Sequence, residues 1–249
     1  MSELVTRRDK DGIATLTLNR PETLNALSPR LFEELRAHLD AIRKERESVG
    51  CVILRGEGRS FSSGNDLSAI QAGEQAPSAH FQAETLDAIE ALPQPAIASV
   101  RGHCYTGALE LALACDLLVA SESAKFADTH GRWGMTPTWG MSQRLPRRVG
   151  PLRAKEMMLT GRVISGAESV AIGLSNACVA DAELDEETEE LARSIAANSW
   201  HTLCADKKLV NEGQRYTLAE GLAFERRNST GITPDTLTRL QEFGSKKQR

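Results

Sequence analysis

The stretch of residues 96–119 limits the fold of this chain more than any other part of the sequence. Residues 96–100, Ala-Ile-Ala-Ser-Val, form an apolar run that is typical of a buried strand. A turn that contains Gly102 and Gly107 follows it. Residues 108–113 are rich in Ala and Leu, which favour the helix strongly. The sequence therefore predicts a strand, a glycine-containing turn and the start of a helix.

The predicted helix start has a chemical consequence. The first N–H groups of a helix have no partner within the helix, and the positive end of the helix dipole adds to them. Such a place can hold an anion, or an oxygen atom that becomes negative during a reaction. Glu110 lies one turn inside this helix, among Ala and Leu residues. The local pattern favours a carboxylate that faces water over a buried catalytic group.

Composition excludes several classes of function. The chain has 249 residues, 41% apolar and 26% charged, as in ordinary globular proteins of one or two domains. A net charge of -4 provides no overall basic surface for nucleic acid. No apolar run approaches the roughly 20 residues that span a membrane. The five cysteines are scattered and lack Cys-x-x-Cys spacing, which favours free thiols and a cytoplasmic protein without a metal site.

Strands and helices alternate along the rest of the chain, which is typical of the α/β class. A helical, amphipathic tail follows residue 203, with breaks at Gly213, Gly231 and Pro234. The patterns predict strands at 13–18, 51–55, 117–120, 125–127 and 177–179, and helices at 29–46, 80–92, 141–149, 152–159, 167–172 and 185–199. Residues 70–78 are predicted to form a loop.

Three motifs resemble those of the crotonase family, the enoyl-CoA hydratase/isomerase superfamily. They are residues 107–112, Gly-Ala-Leu-Glu-Leu-Ala, with Ala-Cys-Asp at 114–116; Leu-Asn-Arg-Pro at 18–21 with Leu-Asn-Ala-Leu at 24–27; and Phe-Ser-Ser-Gly-Asn-Asp-Leu at 61–67. Their order and spacing are those of the family, and the similarity extends over about residues 5–213. The resemblance implies a spiral of ββα units over residues 1–200 and a helical trimerisation region over 201–249, in a homotrimer or hexamer.

The resemblance also assigns site residues, and for Glu110 it reverses the preference for a water-facing side chain. The family stabilises a thioester enolate with two backbone N–H groups, which match Asn65 and Gly107 here. Glu110 matches the first of two catalytic glutamates, whereas His130 occupies the position of the second. Thr106 and Ala108 replace glycines that are common in the family's turn. Positions that match the family's substrate and CoA contacts are Leu24, Ala26, Ser62, Ser63, Gly64, Asp66, Leu67 and Thr129.

The resemblance therefore predicts an enoyl-CoA hydratase in which Glu110 activates water and His130 delivers a proton. Asp128 is an alternative acid or base, and Asp66 is expected to order its loop. Trp133 and Trp139 are expected either to line the acyl end of the site or to belong to the core. Isomerase or decarboxylase activity, and a catalytically silent acyl-CoA-binding protein, remain alternatives. No cofactor is expected, because CoA is part of the substrate, and neither a membrane nor a nucleic-acid partner is expected.

Overall fold

The computed structural model describes residues 3–45 and 48–246, and its elements alternate largely as the sequence predicts. The strands are β1 (Val5–Lys10), β2 (Ile13–Leu18), β3 (Cys51–Gly56), β4 (Ala96–Val100), β5 (His103–Tyr105), β6 (Leu117–Ser121), β7 (Lys125–Ala127), β8 (Ile164–Ser165) and β9 (Ala177–Val179). The helices are α1 (Pro29–Ile42), α2 (Leu67–Gln71), α3 (Phe81–Glu90), α4 (Gly107–Leu113), α5 (Met141–Val149), α6 (Pro151–Thr160), α7 (Gly166–Ala171), α8 (Leu184–Ala196), α9 (Trp200–Gly213), α10 (Leu218–Asn228) and α11 (Thr236–Lys246).

The main sheet contains six strands in the order β1-β2-β3-β4-β6-β9, and all its pairings except β1 with β2 are parallel. Parallel sheets require cover on both faces. One face carries Leu16, Leu54 and Ala98 into the larger core, which includes residues of α1. The other face packs Ile53 and its neighbours against the buried side of α8. A smaller sheet, β5-β7-β8, lies beyond the end of β4 and carries the turn that leads into α4.

Helix α1 shows how the sequence directs one of the covering layers. Ser28 caps it by accepting a hydrogen bond from the Leu31 N–H at 3.3 Å, and proline occupies the first turn, where its missing N–H costs nothing. The apolar side chains of α1 recur at helical spacing and are buried. The helix ends at Ile42, short of the predicted residue 46, which lies outside the described residues.

The structure corrects the prediction at several short elements. β1 was not predicted, because it is an edge strand in which only Val5 is buried and the other residues are polar. β5 and β8 were not predicted either, because β5 lies within the segment predicted to be a turn and β8 has two residues, too few to show a period. The predicted loop at 70–78 begins inside α2, which is capped by Asp66.

The tail forms α9, α10 and α11, with breaks close to those predicted. Several of its large apolar side chains are exposed, among them Val210, Leu218, Leu222, Leu237 and Leu240. In the ranges that the structure describes, no helix combines the length and apolar character needed to cross a membrane.

Candidate active site

The turn before α4 brings two loops together. A Cβ atom added to Gly64 would lie 2.5 Å from the Tyr105 carbonyl oxygen and 3.6 Å from the Gly107 nitrogen, so the two backbones are in close contact. Gly64 also has a φ of +98°, which a side chain would strain. Within residues 3–45 and 48–246, neither the Asn65 N–H nor the Gly107 N–H has a hydrogen-bond acceptor. The predicted pair of backbone donors therefore lies on two adjoining loops.

Glu110 is a buried carboxylate, so the water-facing alternative favoured by the local pattern is wrong. Its side chain is 1% exposed. Oε1 accepts hydrogen bonds from the backbone N–H groups of Trp139, at 3.0 Å, and Met141, at 2.9 Å. Burial raises the pKa of Glu110 above its ordinary value, against the opposing effects of the Met141 N–H, His130 and the Trp139 N–H. The other oxygen, Oε2, lies 3.8 Å from His130 Nε2.

His130 is oriented by Asp128. Oδ1 of Asp128 lies 2.7 Å from His130 Nδ1 and also accepts the His130 backbone N–H at 3.0 Å. The carboxylate therefore selects the tautomer with a proton on Nδ1 and turns Nε2 toward Glu110. Burial lowers the pKa of His130, but the hydrogen bond and charge of Asp128, together with the charge of Glu110, outweigh burial and raise that pKa. The structure thus places Asp128, His130 and Glu110 in one row.

Thr106 links the two sides of this site. Its Oγ1 lies 2.5 Å from Thr129 Oγ1 and accepts the Thr129 backbone N–H at 3.1 Å. Its own N–H donates to the Ala127 carbonyl oxygen at 2.8 Å. The backbone of Thr106 has a φ of 54°, which costs a β-branched residue about 1–3 kcal/mol. This strained residue therefore ties the start of α4 to the segment that carries His130.

Apart from Thr129, the predicted CoA-contact residues lie in two segments, 24–27 and 62–67. An isolated bridge between Leu27 and Asn65 joins these segments. Asp66 orders its loop, as predicted. One oxygen of Asp66 accepts the Ser68 and Ala69 N–H groups at 3.0 and 3.2 Å, and the other lies 2.7 Å from Arg20 NH1. Burial raises the pKa of Asp66, but the hydrogen bond from Arg20 and those from the backbone outweigh it and lower the pKa. Arg20 also donates to the Ala26 carbonyl oxygen at 2.7 Å, which fixes one segment to the other.

The structure separates the two tryptophans that the sequence could not distinguish. Trp133 is 58% exposed and therefore belongs neither to the core nor to an enclosed acyl end of the site. Trp139 lies inside the site, and its ring packs on Gly107 and edge-on against Phe32. Its role as a donor to Glu110 was missed, because a backbone N–H leaves no residue-type signal. Among the described residues, no group of three or more His, Cys, Asp or Glu side chains is arranged to hold a metal ion.

Comparison with known proteins identifies the family of this chain. The family model for enoyl-CoA hydratase/isomerase matches residues 8–243. An Arabidopsis thaliana protein named probable enoyl-CoA hydratase 1, peroxisomal, is 34% identical, and the match covers 97% of this chain and 94% of that protein. The crystal structure of enoyl-CoA hydratase from Bacillus anthracis superposes with a TM-score of 0.92 at 35% identity, covering 98% of this chain and 96% of the other.

A Thermobifida fusca protein solved in complex with acetoacetyl-CoA superposes with a TM-score of 0.83 at 31% identity, covering 96% of each chain. The predicted resemblance and the α/β fold are thus confirmed, and the match extends to residue 243, beyond the predicted limit near residue 213. The chain belongs to the enoyl-CoA hydratase/isomerase family, within the crotonase superfamily of enzymes.

Proposed function

We propose that this protein is an enoyl-CoA hydratase that adds water across the 2,3 double bond of an acyl-CoA thioester. The observation that carries the proposal is the facing pair of Glu110 Oε2 and His130 Nε2, 3.8 Å apart. The start of α4, with the Gly107 N–H, lies one turn before Glu110 on the same helix. The names of the relatives and the acetoacetyl-CoA bound by the Thermobifida fusca protein support an acyl-CoA substrate.

The two backbone donors would stabilise the charge that develops during hydration. Attack of water at Cβ moves electrons through the double bond and places negative charge on the thioester oxygen. The N–H groups of Asn65 and Gly107 would donate to that oxygen in a site sheltered from water. Each such donor is worth about 3–4 kcal/mol in the transition state. The side chain of Asn65 does not remove this donor, because the donor belongs to the backbone.

Glu110 and His130 would divide the proton transfers between them. As the oxygen of water bonds to Cβ, Oε2 of Glu110 takes one proton from that water. The protonated imidazole of His130 then gives its Nε2 proton to Cα of the enolate, which collapses to the thioester. Passage of the proton from Glu110 to His130 restores both groups. The raised pKa of His130 favours the imidazolium that these proton transfers require.

The remaining assignments extend the same proposal. We assign CoA contacts to the two segments already described, with Leu24, Ala26, Ser62 and Ser63 among them, and to Thr129. No cofactor enters the proposed steps, since CoA belongs to the substrate. The scattered cysteines support a cytoplasmic location.

We also propose that residues 201–249 form a trimerisation region in a homotrimer or hexamer, because the tail exposes more apolar side chains than an isolated extension needs. Sedimentation at micromolar concentration should report a trimer or a hexamer. A monomer under those conditions would contradict this assignment.

An isomerase is the second candidate, because one base such as Glu110 suffices to move a proton between two carbons of an acyl-CoA. A silent binding protein is disfavoured by the burial of Glu110 and Asp128, 1% and 2% exposed, since burying carboxylates is costly.

Turnover of a panel of 2-enoyl-, 3-enoyl- and malonyl-type CoA esters, with identification of each product, tests the proposal. A 3-hydroxyacyl-CoA formed from the 2-enoyl ester is the expected product, and conversion of the 3-enoyl ester alone would establish the isomerase. Titration calorimetry with a saturated acyl-CoA, without metal or nicotinamide, should show binding. Absence of binding at millimolar ligand would overturn the proposed substrate class.

A further inference from the structure

Trp139 spans the two parts of the proposed reaction centre. Its backbone N–H donates to Glu110 Oε1 at 3.0 Å. Its indole covers Gly107 so closely that a Cβ atom on this glycine would lie 2.4 Å from Trp139 Cζ3. One residue therefore contacts both the proposed general base and the residue that carries an oxyanion donor. The indole therefore forms one wall of the proposed reaction centre.

This wall is held from several directions. The ring of Phe32, which is fully buried, meets the indole edge-on with a centroid separation of 5.0 Å and an interplanar angle of 73°. The carbonyl oxygen of Trp139 accepts a hydrogen bond from Arg144 NH1 at 2.8 Å. Arg144 is in turn paired with Asp87 and Glu90 of α3, at 2.6 and 2.8 Å. The indole is thus fixed through its ring and through its backbone.

Trp139 also lines a cavity of about 390 Å³ that does not include Gly107 or Glu110. Most of its other lining residues are charged or polar, among them Asp87 and Glu90 of α3, Arg144 and Arg147 of α5, and Asn211 of α9. The same residue therefore separates this cavity from the reaction centre. Replacing the indole with a small side chain would connect the two spaces.

We propose that Trp139 is a specificity-determining residue that closes the acyl pocket and restricts the enzyme to short 2-enoyl-CoA substrates. This inference rests on the proposed function. With the thioester oxygen at Asn65 and Gly107 and with Cα and Cβ at Glu110 and His130, a longer chain meets the indole soon after Cβ. The indole, packed against Phe32, is the apolar surface that the chain meets. At an apolar surface of this kind, each methylene group that is added or lost changes kcat/KM by about 10- to 200-fold.

The test compares kcat/KM for crotonyl-, hexenoyl- and decenoyl-CoA in the wild type and in Trp139→Ala and Trp139→Phe. The wild type should prefer crotonyl-CoA to decenoyl-CoA by at least about tenfold. Trp139→Ala should raise the decenoyl-to-crotonyl ratio by at least about tenfold, and Trp139→Phe should give a smaller rise. Trp133→Ala is the matched control, because Trp133 is an exposed tryptophan six residues before Trp139, and it should leave the ratio unchanged.

Equal use of crotonyl- and decenoyl-CoA by the wild type would overturn the inference. So would a Trp139→Ala variant that loses activity on all substrates by one common factor. If Trp139→Ala does not fold, the ratio measured for Trp139→Phe decides the question in the same way.

If neither the wild type nor any variant hydrates an enoyl-CoA, the proposed function is refuted but this inference is not. The calorimetric affinities of butyryl- and decanoyl-CoA then test the inference. Trp139→Ala should favour decanoyl-CoA relative to the wild type. An unchanged ratio of the two affinities would contradict the claim that Trp139 closes the acyl pocket.

Discussion

The two oxygens of Glu110 have different surroundings, and substitutions can separate their roles. Oε1 accepts hydrogen bonds from the Trp139 and Met141 N–H groups at 3.0 and 2.9 Å, whereas Oε2 faces His130. Glu110→Gln keeps a carbonyl oxygen that can occupy the Oε1 position but removes the base. Glu110→Ala removes both the base and the acceptor. We therefore expect the two variants to lose activity alike and to differ in stability.

The expected difference follows from the two buried donors. Each N–H that is left without an acceptor costs about 1–3 kcal/mol, so Glu110→Ala should lose roughly 2–6 kcal/mol of the free energy of unfolding relative to Glu110→Gln. The void left by the shorter side chain adds to this loss. Both variants should lose about 100-fold or more in turnover, because neither can accept a proton from water.

The pH dependence of stability provides a second check. Burial raises the folded-state pKa of Glu110 above its ordinary 4.5. The stabilising contribution of a group with a raised pKa is complete below the unfolded value and disappears as the pH rises through the folded value. Glu110→Gln does not titrate, so its stability relative to the wild type should increase with pH across that window.

Hydration of crotonyl-CoA, followed by the loss of ultraviolet absorbance of the conjugated thioester, measures turnover. Urea unfolding measures stability. The explanation fails if Glu110→Gln retains turnover within about tenfold of the wild type. It also fails if Glu110→Ala is as stable as Glu110→Gln, because Oε1 would then not be supporting the Trp139–Met141 segment.

Three further predictions concern the neighbours of Glu110. His130→Ala should lower kcat with little change in acyl-CoA affinity, whereas His130→Glu should keep or raise hydration; wild-type turnover by His130→Ala would make His130 a bystander. Activity that needs ionised Glu110 and protonated His130 should show a bell-shaped pH profile. Asp128→Asn should move the alkaline limb of that profile to lower pH, because Asp128 raises the pKa of His130. An unmoved alkaline limb in the kcat/KM profile would exclude this role of Asp128. Thr106→Val should lower kcat while Thr106→Ser preserves it, and equal kcat values for the two variants would show that the hydroxyl does not position the site.

Most long elements could be predicted from the sequence, because the apolar residues of each buried face recur at a regular spacing. The predicted limits of α5 agree with the structure, and β4 lies where its apolar run indicates. The short strands β5 and β8 differ from these. Both strands pair with β7, β5 also bridges Ser62, and the Lys125–Ser165 pair joins residues that are distant in the chain. No local pattern records such a partner.

The groups of the site also divide into those that the sequence could predict and those that it could not. Glu110, His130 and Asp128 carry distinctive side chains at motif positions, so the sequence could propose them. The groups that orient Glu110 are backbone N–H groups 29 and 31 residues farther along the chain, and any residue type can supply them. Trp133 and Trp139 share one stretch of the chain and one residue type, and only their contacts and exposure in the structure distinguish them.

The contacts of the unusual residues argue that the site is adapted rather than degraded. Thr106 replaces a glycine of the resembled motif at a positive φ, a substitution that by itself costs about 1–3 kcal/mol. Its hydroxyl bonds to Thr129, which immediately precedes His130, the residue that replaces the second glutamate. His130 in turn binds Asp128 and faces Glu110. In an abandoned site, separate replacements would have no reason to contact the same segment. Here the strain at Thr106 is offset by bonds that hold the histidine segment in place, which favours a working imidazole–carboxylate pair over a silent binding protein.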